Sequence, residues 1–175
     1  MKEYTMKIVG CTGCIDDVND FMTHVNQFAE KKTIEIQLFD ASMIFGSIHL
    51  KSAFVHALRA FQREEMATHS LGMELLFYAS GERQITRAIQ KMGIKQGETT
   101  IIICFLFPKN FHNNIDTIID NFLTHFDLKQ KESVIEPDKT MISRFGISNN
   151  AISSVKHDQL FQLVLEKIAL VDVIK

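Results

Sequence analysis

The sequence predicts an α/β fold of the α+β kind, with residues 1–175 forming a single domain. Two observations support this. Residues 99–107 are an unbroken run of β-branched and aromatic residues, which is typical of a strand buried on both faces. Several longer segments repeat apolar residues at helical spacing, as amphipathic helices do. Together they predict a small mixed β-sheet of three to four strands surrounded by six to eight helices.

Three strands are predicted from local patterns. Residues 6–10 form a short β-type run that ends at the sequence CTGC, which we interpret as a turn. Residues 33–39 alternate Ile and Leu with Glu and Gln, the pattern of a half-exposed strand. The third strand is the run 99–107, which Pro108 ends.

Helices are predicted between and after these strands. Asp16 or Asp17 caps the first helix, which runs to about Lys31, and a short turn near residues 41–45 leads through Gly46 into the second. The further predicted helices cover residues 48–65, 71–79, 82–92, 113–126, a short segment opened by 136–138 and ended by Gly146, and 156–170.

Two segments near the C-terminus stand out from this pattern. Residues 127–133 are the most polar of the chain and are interpreted as a loop. The last helix, 156–170, is apolar on most sides. It therefore either lies in the core or meets a partner, and the sequence leaves both alternatives open.

Composition limits the function classes. A hydrophobic fraction of 46% with 23% charged residues is that of a globular protein. The net charge of −2 argues against broad coating of nucleic acid, which needs many Lys and Arg side chains, so any nucleic-acid contact should be small and local. An odd number of cysteines, three, and the lack of a signal-type N-terminus predict a cytoplasmic protein without a membrane segment.

Cysteine and histidine offer weak alternatives for chemistry. Cys11 and Cys14 form a CxxC pair, but a structural zinc site needs four ligands, and Cys104 lies in the buried run as a small apolar residue. His49, His56 and His69 fall in one region, where one of them could act as a base. Without any recognised catalytic motif, we expect no enzyme activity, no metal and no cofactor.

The segment 74–94 contains the most informative local pattern. It reads as two helices separated by a break at Ser80 and Gly81, and the second helix carries a basic side formed by Arg83, Arg87 and Lys91. Ser80 is the predicted N-cap of that second helix, which would direct its unpaired amides toward an anion. The alternative is an ordinary solvated face of an amphipathic helix, with Ile85, Ala88, Ile89 and Met92 turned inward.

These residues carry a resemblance to a known family. The block ELLFYASGERQITRAIQKMGI, with HLKSAFVHALRAF before it and the apolar strand after it, resembles the TPRKB-like subunits of the KEOPS complex. IDDV at 15–18 and IQLFDA at 36–41 also fit, and the Arg-Gln-Ile block is closer to archaeal members. The likeness covers residues 6–107 well and rests on helix order beyond that.

The resemblance implies a non-catalytic subunit. KEOPS places a threonylcarbamoyl group on the adenosine next to the anticodon of tRNA. The subunit of this family binds the small lobe of the kinase/ATPase subunit, joins the other KEOPS subunits indirectly, and captures the tRNA 3′ CCA end. The residues we expect at the tRNA are Arg59, Arg63, Ser80, Gly81, Arg83, Gln84 and Arg87. A kinase-binding adaptor without RNA binding is the alternative, with helices 48–65 and 160–168 as candidate kinase contacts.

Overall fold

Four strands form one sheet in this computed structural model, which describes residues 3–137 and 140–174. The strands lie in the order β2-β3-β1-β4, and every neighbouring pair is antiparallel. Their bounds are β1 Tyr4–Ile15, β2 Glu35–Asp40, β3 Gly97–Pro108 and β4 Lys129–Gln130.

The predicted mixed sheet is therefore wrong in one respect, since the sheet is antiparallel throughout. A helix connects β1 to β2, and the two strands run in the same direction because each is antiparallel to β3. As neighbours, β1 and β2 would form a parallel pair and the sheet would be mixed. Instead β3, which comes later in the chain, lies between them and pairs with both.

Helices cover this sheet and confirm the α+β class. Among the described residues, seven helices have six or more residues and two are single turns, which agrees with the six to eight predicted. Their bounds are α1 Val18–Lys32, α2 Gly46–Arg63, α3 Leu71–Ser80, α4 Ile85–Met92, α5 Ile115–His125, α6 Met141–Arg144, α7 Asn149–Ser154, α8 Leu160–Ala169 and α9 Val171–Ile174. None of the helices in the described ranges is long and apolar enough to cross a membrane.

The two faces of the sheet carry separate apolar cores. Alternate residues of β3, from Ile102 to Leu106, pack with α2, α3, α4, α6 and α8 on one face. The residues between them, from Ile101 to Phe107, pack with α1 and α5 on the other. Cys104 is buried among apolar neighbours. The prediction of a central strand buried on both faces is thus confirmed.

The first strand is longer than predicted because CTGC is part of it. A Cβ atom at Gly13 would lie 2.4 Å from Leu128 Cδ2, and one at Gly10 would lie 2.7 Å from the Lys131 carbonyl oxygen. These glycines allow the segment after α5 to pass close to β1, so they mark a close approach and not a turn. The predicted loop 127–133 is this segment, and it supplies β4 and a 3-10 turn, Glu132–Ile135.

Several helices begin or end at residues other than those predicted. Asp17 caps α1 as predicted, with its carboxylate accepting the N–H of Asp20 at 2.8 Å. Pro137 precedes a helix that begins only at Met141, and Asp138 lies outside the described residues. The predicted helix 156–170 is a 3-10 turn, His157–Gln159, followed by α8, whose residues Leu160, Val164 and Ile168 are buried in the core.

Candidate functional site

The break between α3 and α4 is built differently from the prediction. Ser80 is the last residue of α3, and its hydroxyl donates to the Phe77 carbonyl at 2.7 Å and accepts the Glu82 N–H at 3.1 Å. It is therefore not the N-cap of α4. That position belongs to Gln84, whose side chain makes no capping hydrogen bond. Gly81 ends α3 with φ of +63°, a conformation that favours glycine.

Lys91 stabilises the turn between α3 and α4. Its ammonium group donates to the Ser80 carbonyl at 2.9 Å, to Glu82 Oε1 at 2.8 Å and to the Phe145 carbonyl at 3.1 Å. It also lies 4.2 Å from the centroid of the Phe145 ring. A lysine ammonium has three N–H donors, so all of them are used. Lys91 is thus a structural side chain, although the sequence placed it on the exposed basic side.

Glu82 is the counter-ion in this cluster. Burial acts to raise the pKa of its carboxyl group, but the hydrogen bond from Lys91 and the charges of Lys91, Lys167 and Arg87 outweigh burial and lower it. The carboxylate is therefore ionised at neutral pH. Its negative charge offsets the positive charge of Lys91. The remaining positive charge of this cluster is therefore carried by only a few side chains.

A groove of about 650 Å³ opens beside this turn. Residues 81–84 and Arg87 form one side of it, and Lys167 and Leu170 of the C-terminal region form the other. Arg83 and Arg87 are exposed, and neither makes a hydrogen bond or ion pair with any residue in the described part of the chain. Gly81, Arg83, Gln84 and Arg87 are thus brought together as predicted, with Ser80 buried beneath them.

Lys167 and Leu170 were missed at the level of sequence. They lie 80 and 83 residues after Arg87, the end of the segment 81–87, and nothing in the spacing of α8 links them to it. Ile89 is the opposite case, because it was expected on the buried side of α4 and is 46% exposed. The short helix turns only Ala88 and Met92 fully into the core.

His49 joins the start of α2 to the end of α3. Its Nδ1 accepts the N–H of Phe45 at 3.1 Å, and its Nε2 donates to the carbonyl of Ala79 at 2.8 Å. Burial lowers the pKa of His49 from 6.5 to about 4, a shift that the nearby charge of Lys91 supports and the bond to Ala79 opposes. The ring is therefore neutral, with both nitrogens occupied by backbone groups, and is not available as a base.

Arg59 and Arg63 lie in the second half of α2 and are exposed. Arg59 is ten residues and Arg63 fourteen residues beyond His49, roughly 15 and 21 Å farther along the helix. Neither of them lines the groove that Arg83 and Arg87 line.

His56 belongs to a third contact, which holds the C-terminal helix. Its Nδ1 lies 2.7 Å from Asp172 Oδ2, and its ring stacks on Tyr78 with 5.6 Å between centroids. The Tyr78 hydroxyl donates to the other oxygen of Asp172. Burial, followed by the hydrogen bond and charge of Asp172, raises the pKa of Tyr78. This contact fixes α9 against α2 and α3.

The CxxC pair lies on an extended strand. Cys11 is buried, burial raises the pKa of its thiol to about 12, and Cys14 is exposed. Three residues apart on a strand, they point to opposite faces and are separated by roughly 10 Å. That is beyond the reach of a disulfide. No group of three metal-binding side chains occurs in the ranges that the structure describes.

The outer side of α2 exposes apolar side chains. Ile48 is 40% exposed and Val55 is 52% exposed, and because they are seven residues apart they lie on the same side of the helix. We call Ile48 and Val55, with Lys51 between them, the α2 face. Apolar residues exposed together in this way often mark a protein contact.

Comparison with known proteins assigns the chain to a family. A family model described as kinase binding protein CGI-121 matches residues 15–172, well beyond the part in which the resemblance was clear from motifs. No curated protein matches the chain. The chain belongs to the CGI-121 family of kinase-binding proteins, the family of the TPRKB/Cgi121 subunits of KEOPS.

Proposed function

We propose that this protein is a non-catalytic, cytoplasmic subunit of KEOPS that binds its kinase/ATPase subunit and recruits tRNA by the 3′ CCA end. Membership of a kinase-binding family supports the first part. The groove beside α4 supports the second. Among the histidines offered as bases, His49 holds two backbone groups and His56 contacts Asp172, which favours a structural role for both.

The single observation that carries the RNA proposal is the pair of exposed arginines on the groove. Arg83 and Arg87 make no hydrogen bond or ion pair with the described residues, so the N–H donors of their guanidinium groups are available for an anion. Guanidinium groups bind phosphate oxygens through paired N–H donors. Gln84 adds a polar side chain at the same groove, which suits hydrogen bonding to a base splayed from a single strand.

The size of the groove agrees with a short ligand. A single-stranded end presents few phosphates, so a few cations suffice even on a chain of net charge −2. Arg59 and Arg63 fall outside the site proposed here, because neither of them lines the groove. We therefore assign the nucleotides next to the 3′ terminus, which are single-stranded, to this groove.

The experiment is a fluorescence titration with tRNA that retains or lacks its CCA end. We expect the wild-type protein to bind only the intact tRNA, and Arg83→Glu to weaken binding about tenfold or more, because reversing the charge removes a phosphate contact and adds a repulsion. Arg59→Glu is the matched control, with the same charge change outside the groove, and should bind within about twofold of wild type.

Three other outcomes are informative. Equal binding to both tRNAs would contradict recruitment by the CCA end. Equal loss in Arg59→Glu and Arg83→Glu would contradict the placement in the groove. Binding to neither tRNA, together with retained capture of the kinase, would favour the adaptor without RNA binding.

A further inference from the structure

The second side of the groove comes from the C-terminal region. Lys167 Nζ donates to the carbonyls of Phe145 at 3.0 Å and Gly146 at 3.4 Å, and lies 5.2 Å from the Phe145 ring centroid. Of its three N–H donors, two thus have acceptors among the described residues. Lys167 lines the groove, so its remaining donor is available to a ligand there.

Lys91 and Lys167 therefore differ although both reach the Phe145 carbonyl. Lys91 uses all its donors inside the protein and does not line the groove, whereas Lys167 retains one. Burial, followed by the charge of Lys91, lowers the pKa of Lys167, and Glu82 partly opposes this. An anion in the groove would compensate the repulsion between these two ammonium groups.

Gly81 is shaped to accept the stem of Lys167. A Cβ atom at Gly81 would lie 3.0 Å from Lys167 Cγ, and φ at this position is +63°. The lysine stem thus packs directly on the turn between α3 and α4. Its ammonium group is thereby held on the same groove as Arg83 and Arg87.

Leu170 is the apolar element of this side. It is 48% exposed and lines the groove, whereas the next residue, Val171, is buried. Asp172 then contacts His56 and Tyr78. These anchors fix the backbone on the C-terminal side of Leu170, so its side chain is presented to the groove by a held segment.

We propose that Lys167 and Leu170 form the second wall of the RNA site, with Lys167 binding a phosphate and Leu170 covering the face of a base. This inference rests on the proposed RNA function and extends it to a region that the sequence did not connect with the groove. It predicts two different kinds of loss, one electrostatic and one apolar.

The test uses the full chain and a short single-stranded RNA ending in CCA, titrated over a range of salt concentrations. Lys167→Gln should weaken binding about fivefold and reduce the slope of log K against log salt by about 0.7, the value for one phosphate contact on a single strand. Lys167→Arg should keep the wild-type slope. Lys51→Gln, on the exposed part of α2, is the matched control and should change neither.

Leu170→Ser should weaken binding about threefold without changing the salt slope, because it removes apolar contact and no charge. Val173→Ser is its control, since Val173 is exposed and does not line the groove. Thermal unfolding of each variant separates a loss of contact from a loss of fold.

The outcomes distinguish this inference from the proposed function. Wild-type affinity in both Lys167→Gln and Leu170→Ser, together with loss in Arg83→Glu, would overturn the second wall and leave the RNA function standing. A lower affinity of Lys167→Gln with an unchanged salt slope would overturn the phosphate contact. Absence of binding by the wild type would overturn both proposals.

Discussion

The groove beside α4 and the α2 face offer a partner different chemistry. The groove combines Arg83, Arg87 and Lys167 with one carboxylate, Glu82, which is paired with Lys91, and with one apolar side chain, Leu170. The α2 face exposes two apolar side chains around a single lysine. Cations with free N–H donors around a concave surface suit phosphate, whereas exposed apolar groups on a helix suit a protein. The difference suggests that RNA and kinase are bound by separate parts of the molecule.

The buried imidazole of His49 connects the start of α2 to the end of α3 and so lies between these two regions. The largest effect that we expect is on stability, through this residue. The unfolded chain takes up a proton on His49 near pH 6.5, but the folded protein does so only near pH 4. The contribution of His49 to the free energy of unfolding should therefore be complete above pH 6.5. It should fall by about 3 kcal/mol as the pH drops toward 4. Urea unfolding at a series of pH values measures it.

The variant His49→Gln removes this titration and should flatten the curve between pH 6.5 and 4, whatever its stability at neutral pH. His24→Gln, which removes an exposed histidine, is the control and should retain the full dependence. If His49→Gln and His24→Gln showed the same dependence of stability on pH, the two regions would not be linked by a neutral ring of His49.

The comparison itself is tested next by a substitution on the α2 face. Val55→Asp replaces the more exposed of the two apolar side chains by a charge and should weaken kinase binding about tenfold, roughly 1.4 kcal/mol, because an unpaired charge would be desolvated in the interface. RNA affinity should remain at the wild-type value. Isothermal titration with the kinase subunit and fluorescence titration with RNA measure the two affinities.

Ile89→Asp provides the matched control, since Ile89 has a similar exposure on α4. Its kinase affinity should be that of the wild type. If Val55→Asp and Ile89→Asp weakened kinase binding equally, the kinase contact would extend over both regions and the separation would be lost.

Much of the fold followed from local sequence patterns. The buried run in β3, the Asp17 cap of α1 and the bounds of α3 to within one residue were accessible because they depend on neighbours in the chain. The insertion of β3 between β1 and β2 was not, since strand order depends on contacts between distant residues. The prediction of a turn at CTGC was wrong because, in the sequence, a glycine that permits a close approach of two segments cannot be distinguished from one that permits a turn.

The groove was accessible only in part for a similar reason. Arg83, Arg87 and Lys91 are evenly spaced, but α4 begins at Ile85, so Arg83 precedes the helix and the three do not form one stripe. The hydroxyl of Ser80 could cap either helix, and its bond to Phe77 decides for the first. Lys167 carries no local signal, because its role depends on how α8 packs.

A smaller effect is expected from the lysine beneath the groove. Lys91→Gln leaves at least one of three acceptors unpaired and should destabilise the protein by about 1 kcal/mol. The salt slope of RNA binding should not change, because Lys91 does not line the groove. Urea unfolding and a salt titration measure the two, with Lys51→Gln as the control. A reduced salt slope would place Lys91 among the phosphate ligands and erase its contrast with Lys167.

The smallest effect is expected at the CxxC pair, which lies in neither region. Cys14 is exposed at the far end of β1, away from both α3 and α2, and its sulfur is 4.0 Å from Asp16 Oδ1. Cys14→Ser should therefore change stability by less than about 0.5 kcal/mol and leave both affinities unchanged. Cys11→Ser should cost more, since it buries a hydroxyl beside the Ile101 carbonyl. Loss of either affinity in Cys14→Ser would require a third functional region, and the comparison of two surfaces would then be incomplete.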